Sequence, residues 1–207
     1  MVGVLLCVLL GYLLGSLSPA ALLSVMKQKS LTEHGTGNLG ATNAMLVFGK
    51  KSGVLVMVID IFKAYISVKI ARLLFPKMAI AGLLAGCCAV LGHVFPFYMN
   101  FRGGKGVATL AGLVLAVDPQ FFLILVAIGV TLALIADYAF ALPVSASVLY
   151  PIMAGLRARS FLVFLLSAGV GGLIIARHRE NFARVKAGTE IRVRAYLHGH
   201  TSAIEKK

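Results

Sequence analysis

The chain has 207 residues, of which 59% are hydrophobic and 13% charged, with a formal net charge of +13 and a mean hydropathy of +0.94. This composition excludes an ordinary soluble domain and predicts an all-α integral membrane protein with several spans. The positive charge does not indicate nucleic-acid binding, because the basic residues lie between apolar runs, where topology and lipid headgroups account for them.

Seven apolar runs are predicted to be transmembrane helices of a single multi-pass domain, 1–207. The fourth run is short enough to be a partial crossing, and residues 178–207 form a tail. With the N-terminus outside, most lysines and arginines fall in segments that face the cytoplasm, as the positive-inside rule requires. The polar stretch 27–52 and the C-terminal tail then share the cytoplasmic face. The approximate spans are 2–26, 53–75, 78–98, 106–117, 120–137, 139–156 and 160–177.

The first span carries two signals. Gly11 and Gly15 have the spacing that lets two membrane helices approach closely. Ser16, Ser18 and Pro19 then interrupt the helix, which frees backbone groups that need partners inside a membrane. Two interpretations stay open: this half of the span faces a polar cavity, or it is a simple proline kink.

The second span contains two ionisable residues, Asp60 and Lys63, one helical turn apart. Charges at that depth are costly unless they are paired, so we predict a mutual ion pair that faces the interior of the helix bundle. A structural pair and a role in a functional site are equally open. His93, near the end of the third span and before Pro96, is predicted to orient the loop that follows, and direct chemistry is the alternative.

That loop is basic and rich in glycine. Gly103, Gly104 and Gly106 surround Lys105 and are expected to turn backbone N–H groups toward one point. Arg102 and Lys105 add two cations, and the next helix adds its positive N-terminal end, which suits a phosphate. A Walker loop is excluded because no Ser or Thr follows the lysine. Taken alone, the loop is more typical of an ordinary cytoplasmic connection.

A second polar cluster lies at residues 35–43, in the stretch 27–52. Its small residues and the side chains of Thr36, Asn38 and Asn43 suit a bent loop that donates hydrogen bonds to oxygen atoms. Ordinary turn chemistry is the alternative for this loop considered alone.

A third cluster follows the last span. On a helix His178, Asn181 and Arg184 lie within about one turn of each other and offer a base, an amide and a cation. Gly188 and Glu190 follow closely. The alternative is an amphipathic tail that rests on anionic lipid. All three clusters are predicted to meet on the cytoplasmic face, and this convergence is the main functional signal.

These motifs resemble the bacterial acyl-phosphate-dependent glycerol-3-phosphate acyltransferase family. The similarity rests on GTGNLGATN at 35–43, GHVFPFYMNFRGGKGVAT at 92–109 and HRENFARVKAGTE at 178–190, in that order between the apolar runs. It implies a seven-helix enzyme of the bacterial inner membrane with its active site at the cytoplasmic side. The implied reaction moves a fatty acyl group from acyl phosphate to the 1-hydroxyl of glycerol 3-phosphate, giving lysophosphatidic acid and phosphate, the first acylation of phospholipid synthesis.

The resemblance also implies roles for individual residues. Implied catalytic residues are Thr36, His178 and Asn181; implied substrate- or phosphate-binding residues are Asn38, Asn43, Arg102, Gly103, Gly104, Lys105, Gly106 and Glu190; implied supporting residues are His93, Asp60 and Lys63. Acyl phosphate is already activated, so the protein has chiefly to orient the hydroxyl and stabilise charge. His178 and the donor's own phosphate both stay open as proton acceptors. No cofactor and no metal is expected, and the implied partners are the two substrates and membrane lipid.

Three departures from the family pattern are present, and the third is a pair of residues. Thr36 stands in place of a serine, Leu46 in place of an arginine, and Ala139-Phe140 in place of a serine pair. If the local chain is helical, Lys50 lies one turn beyond Leu46 and could supply the missing cation. These departures raise the alternatives of a divergent paralogue with altered acceptor or low activity. A small anion transporter is the alternative from another class, whereas acyl transfer from a thioester carrier lacks its usual His-x4-Asp motif.

Overall fold

The computed structural model describes residues 1–197, and the regular structure within that range is helical apart from one isolated β-bridge between Tyr138 and Arg192. A single 3-10 turn, Phe97–Met99, is among the described elements. The α-helices are α1 Val2–Ser16, α2 Pro19–Met26, α3 Ala41–Phe48, α4 Lys50–Leu74, α5 Ala81–Val94, α6 Val107–Val117, α7 Pro119–Ala136, α8 Ala141–Ala158, α9 Phe161–Arg177, α10 Arg179–Lys186 and α11 Val193–Leu197.

Four stretches of the described chain are long and apolar enough to cross a membrane: Val2–Met26, Ala81–Met99, Pro119–Ala136 and Ala141–Ala158. A fifth is added if α9 and α10, bent by 42° at His178, count as one span. The 25 residues of α4 would also reach across, since they measure about 37 Å, but this helix carries several charged side chains. The chain is therefore an all-helical, multi-pass membrane protein over residues 1–197. Seven spans and the orientation of the termini stay predictions.

The chain forms two compact units, Met1–Pro119 and Gln120–Lys207. In the first unit α1 packs along α5, and α4 contacts α3, α5 and α6. In the second unit α8 packs against α9 and α10 follows α9. The single-domain assignment for 1–207 remains a prediction.

The close approach predicted for the first span is confirmed between α1 and α5. A methyl group added to Gly11 would collide with the carbonyl oxygen of Ala85, and one added to Gly15 would collide with that of Ala89. From the opposite side, a methyl group on Gly92 would meet the carbonyl oxygen of Tyr12. The two backbones can touch only because these three positions lack a Cβ atom.

The break between α1 and α2 exposes backbone carbonyls that find polar partners. The Lys63 ammonium donates to the carbonyl oxygen of Leu17 at 2.6 Å, and the Tyr98 hydroxyl donates to that of Ser16 at 2.7 Å. Ser18 then caps α2 by accepting from the Ala21 N–H at 3.2 Å, and Pro19 occupies the first helical position, which needs no donor. This segment faces polar groups, so of the two interpretations the polar environment fits better than a simple kink.

The polar stretch 27–52 is not wholly a loop. It contains α3, and α4 begins at Lys50, three residues before the predicted start of the second span. Gly49 separates the two helices with a φ of +87°, a backbone conformation that favours glycine. Leu46 and Lys50 therefore lie on different helices, and the expectation that Lys50 follows Leu46 by one helical turn is wrong.

Candidate active site

Asn43 holds the loop of residues 31–36 in place. Its Oδ1 accepts from the Thr36 N–H at 2.7 Å, and its Nδ2 donates to the carbonyl oxygens of Leu31 at 2.8 Å and His34 at 3.1 Å. The side chain is fully buried at 0% exposure. Both amide protons of Asn43 already donate to carbonyl oxygens of the protein, so the geometry does not support the predicted contact of Asn43 with phosphate. Asn43 instead shapes the loop, which leaves Thr36 exposed and Asn38 half-buried.

The glycine loop is tied to the end of α5 by its own backbone. The Gly103 N–H donates to the carbonyl oxygen of Val94 at 3.0 Å, and the Gly104 N–H donates to that of His93 at 3.1 Å. These two N–H groups were expected to point at an anion, and in that respect the sequence expectation is wrong. Glycine is needed at both positions because the loop lies so close to His93 that a methyl group on either residue would collide with it.

The groups of this loop that can still attract a phosphate are cations and a helix end. Lys105 is half-buried and Arg102 is exposed. Gly106 caps α6 with a φ of +84°, and the amide dipoles of this 11-residue helix make its N-terminal end positive. A lysine that directly precedes the first turn of a helix still suits phosphate, although the N–H groups of Gly103 and Gly104 are already used.

The first two polar clusters meet in the first unit. A methyl group on Gly104 would lie 2.8 Å from the carbonyl oxygen of Leu39, so the loop 35–43 lies directly against the glycine loop. Leu39 itself is buried at 6% exposure and anchors its loop in the core. Thr36 and Asn38 thus belong to a segment that abuts the segment carrying Lys105.

A buried polar network lies beneath the glycine loop. Lys63 Nζ is 2.7 Å from Asp60 Oδ1 and 3.0 Å from His93 Nδ1, in addition to its bond to Leu17. Asp60 is 1% and Lys63 6% exposed. The predicted interior ion pair is confirmed, and Lys63 joins α4 to α5 and to the break after α1.

This network also orients His93. His93 Nδ1 lies 3.0 Å from Lys63 Nζ and 3.3 Å from Asp60 Oδ1, so both members of the ion pair hold this edge of the ring. The Nε2 atom lies against Gly104. The geometry therefore supports the predicted orienting role of His93, through its carbonyl oxygen and through its ring.

In the second unit His178 lies at the bend between α9 and α10, with 3% exposure. Its Nδ1 is 2.8 Å from the carbonyl oxygen of Ile174. A carbonyl oxygen can only accept, so Nδ1 carries a proton and donates it to Ile174. This hydrogen bond holds one edge of the His178 ring at the bend between α9 and α10.

Asn181 and Arg184 are held by one carboxylate. Asn181 Nδ2 donates to Glu190 Oε1 at 2.7 Å, and Arg184 Nε donates to Glu190 Oε2 at 2.6 Å. Gly188, with a φ of +70°, turns the chain so that Glu190 can return to α10. A carboxylate would repel a phosphate, so the geometry points to a role for Glu190 in orienting Asn181 and Arg184, not to the substrate contact predicted for it.

The sequence did not predict what surrounds this cluster. The predicted tail folds back onto the turn before α8: the Val193 N–H donates to the carbonyl oxygen of Asp137 at 3.0 Å, and the Arg194 N–H donates to Asp137 Oδ1 at 2.9 Å. From the same turn the Phe140 ring stacks on His178, with centroids 6.4 Å apart and an interplanar angle of 22°. In the sequence, the one sign near this stack was that Ala139-Phe140 replaces the serine pair of the family pattern.

Comparison with known proteins gives one consistent result. Residues 5–188 match the family model described as glycerol-3-phosphate acyltransferase. The glycerol-3-phosphate acyltransferase of Staphylococcus saprophyticus is 37% identical over 195 residues, covering 90% of this chain and 96% of the relative. That of Thermoanaerobacter pseudethanolicus is 35% identical over 183 residues, covering 88% and 91%.

Two solved structures are also similar to this chain. Both are crystal structures of PlsY (YgiH), an integral membrane glycerol 3-phosphate acyltransferase, and both are 34% identical in sequence. The glycerol 3-phosphate form has a TM-score of 0.85 and covers 94% of this chain and 97% of that one. The lysophosphatidic acid form has a TM-score of 0.81, with 91% and 94% covered.

Proposed function

This chain belongs to the glycerol-3-phosphate acyltransferase family, and we propose that it transfers a fatty acyl group from acyl phosphate to the 1-hydroxyl of glycerol 3-phosphate. The products are lysophosphatidic acid and inorganic phosphate. We place the reaction at the cytoplasmic face of a bacterial inner membrane, with the N-terminus outside, because most basic residues then lie on the cytoplasmic side.

The observation that carries the phosphate part of the proposal is the setting of Lys105. Lys105 is half-buried, its loop is held to His93 and Val94 by the N–H groups of two glycines, and it directly precedes Gly106 at the positive end of α6. Such a group can bind the phosphate of a donor whose entire leaving group is phosphate. Arg102 is an exposed second cation, and Thr36 and Asn38 add polar groups from the adjoining loop.

In the proposed reaction His178 accepts the proton of the acceptor hydroxyl. As the O–H bond breaks, the oxygen bonds to the acyl carbon, and the bond from that carbon to the phosphate oxygen breaks with its electron pair. With Nδ1 donating to Ile174, Nε2 is the ring nitrogen that we assign as the base. Asn181, fixed by Glu190, is proposed to support the site as a hydrogen-bonding group. A covalent intermediate on the protein is not required, because the donor is already a mixed anhydride.

Product analysis tests the reaction. Purified protein supplied with palmitoyl phosphate and glycerol 3-phosphate is expected to release one phosphate for each acyl group transferred. Palmitoyl-coenzyme A is expected to yield no free thiol, because the short segment from Met99 to Lys105 offers little surface for so large a leaving group. A chelator is expected to have no effect. Efficient use of the thioester, or loss of activity with chelator, would contradict the proposal; flux of labelled phosphate into liposomes, without acyl transfer, would favour the transporter.

Replacing Lys105 by methionine is expected to lower kcat/KM by roughly tenfold to 150-fold. This range follows from the worth of a hydrogen bond to a charged group, about 1.5–3 kcal/mol. The measurement is phosphate release at several acyl phosphate concentrations. Lys77, an exposed lysine between α4 and α5, is the matched control, and Lys77→Met should leave the kinetics unchanged. Unchanged kinetics in a folded Lys105→Met protein would remove the glycine loop from the site.

A further inference from the structure

An aromatic cluster surrounds one face of His178 in the second unit. Phe140 stacks on the imidazole. The Phe182 ring meets Phe140 edge-on, with centroids 5.2 Å apart and an interplanar angle of 81°. The Tyr138 ring is tilted against Phe140, with centroids 5.9 Å apart and an interplanar angle of 34°. Phe140 lies in the short turn that precedes α8 and Phe182 lies on α10. The cluster therefore links the turn to the helix that begins at His178.

The backbone around Phe140 is itself held in place. The Ala141 N–H donates to the carbonyl oxygen of Tyr138 at 3.1 Å, and the Val144 N–H donates to that of Phe140 at 3.2 Å. Tyr138 also forms the β-bridge with Arg192 in the returning segment. The ring that meets His178 is thus presented by a turn with bonds on both sides, and a fixed ring loses little freedom when it stacks.

The imidazole needs such support because its own torsion is soft. The χ2 angle of histidine is broad and roughly two-fold, so packing decides the plane of the ring. The bond from Nδ1 to Ile174 limits one edge of the ring. The face of the ring is limited by Phe140, and nearly parallel aromatic rings attract each other beyond the area that they bury.

We propose that Phe140 is a positioning residue that fixes the plane of the His178 imidazole, the ring that we assign as the base. The inference rests on the proposed function of His178. A phenylalanine ring has no polar group, so Phe140 acts through His178 and does not bind phosphate. The prediction for variants is a loss in the chemical step with substrate binding preserved.

The test compares three variants in the full-length protein. Phe140→Leu is expected to lower kcat by about twofold to tenfold, the range of an aromatic pair interaction, with KM for both substrates unchanged. Phe140→Tyr keeps the stacked ring and is expected to stay within about twofold of the unsubstituted kcat. Phe161→Leu removes an exposed ring whose described ring contact is with Phe164. This control variant should leave both kcat and KM unchanged.

A second readout separates this inference from the proposed reaction. In the unsubstituted protein the His178 Cε1 proton should show a ring-current shift in NMR, assigned by its absence in His178→Gln, and Phe140→Leu should abolish that shift with or without turnover. If the unsubstituted protein makes no product, the proposed function fails while the stacking is still tested. The positioning role is overturned by an unchanged kcat in Phe140→Leu, by a rise in KM instead of a fall in kcat, or by a loss that Phe140→Tyr does not restore.

Discussion

Replacing Lys63 by methionine is expected to destabilise the protein by about 3–5 kcal/mol, the usual cost of removing one partner of a buried ion pair. The substitution leaves the Asp60 carboxylate in a setting that is 1% exposed, 2.7 Å from where its counter-charge was. It also removes the donor to the carbonyl oxygen of Leu17 at the break after α1. Thermal or denaturant unfolding in detergent measures the loss.

A paired substitution provides the control. Asp60→Leu combined with Lys63→Met removes both charges, and the double variant is expected to recover most of the lost stability, because an apolar pair of similar volume needs no counter-charge. A single variant as stable as the unsubstituted protein would show that the ion pair does not support the fold. The double variant tests more than stability, since His93 Nδ1 then lacks both of its charged neighbours, Lys63 and Asp60. We expect it to fold and yet to transfer acyl groups more slowly.

Replacing His178 by alanine is expected to lower kcat by about 10²–10⁴-fold, the usual contribution of a positioned general base. The physical reason is the loss of the imidazole that we propose as the base, whose Nδ1 is held 2.8 Å from the carbonyl oxygen of Ile174. Phosphate release and lysophosphatidic acid formation, measured together at saturating substrates, report the change.

His34 is the matched control for this experiment. It is an exposed histidine whose Nδ1 also lies 2.8 Å from a backbone carbonyl oxygen, that of Ser30. His34→Ala should leave kcat within about twofold, since the side chain is exposed and has no proposed role. A folded His178→Ala protein with nearly full activity would assign proton removal to the phosphate of the donor.

Several features could be predicted because they depend on spacing along one chain segment. Gly11 and Gly15 predicted a close helix contact, and the structure supplies the carbonyl groups of α5 that a side chain would strike. Asp60 and Lys63 predicted an interior ion pair because unpaired charges are costly at that depth, and the pair is present at 2.7 Å. In both cases the signal is the spacing of two residues on a single helix, which can be counted along the sequence.

Other features could not be predicted because their partners come from distant parts of the chain. The N–H groups of Gly103 and Gly104 were expected to bind an anion, yet they donate to carbonyl oxygens at the end of α5. Asn43 was expected to meet substrate, yet it is fully buried and clamps a loop. A backbone carbonyl carries no sequence signature, so residue types alone cannot show that a donor is already satisfied.

By itself the sequence determined that this is a helical membrane protein of the acyltransferase family, because long apolar runs must satisfy their backbone groups internally and the motifs are colinear with those of the family. It also determined which side chains could bind phosphate or accept a proton. Only the tertiary structure decided which of them are available, through contacts such as those of Glu190 with Asn181 and Arg184. The stacking of Phe140 on His178 is another contact that only the tertiary structure reveals. The reason is physical: the chemistry of a side chain is local, whereas its orientation and its free lone pairs depend on atoms that only the folded chain brings near.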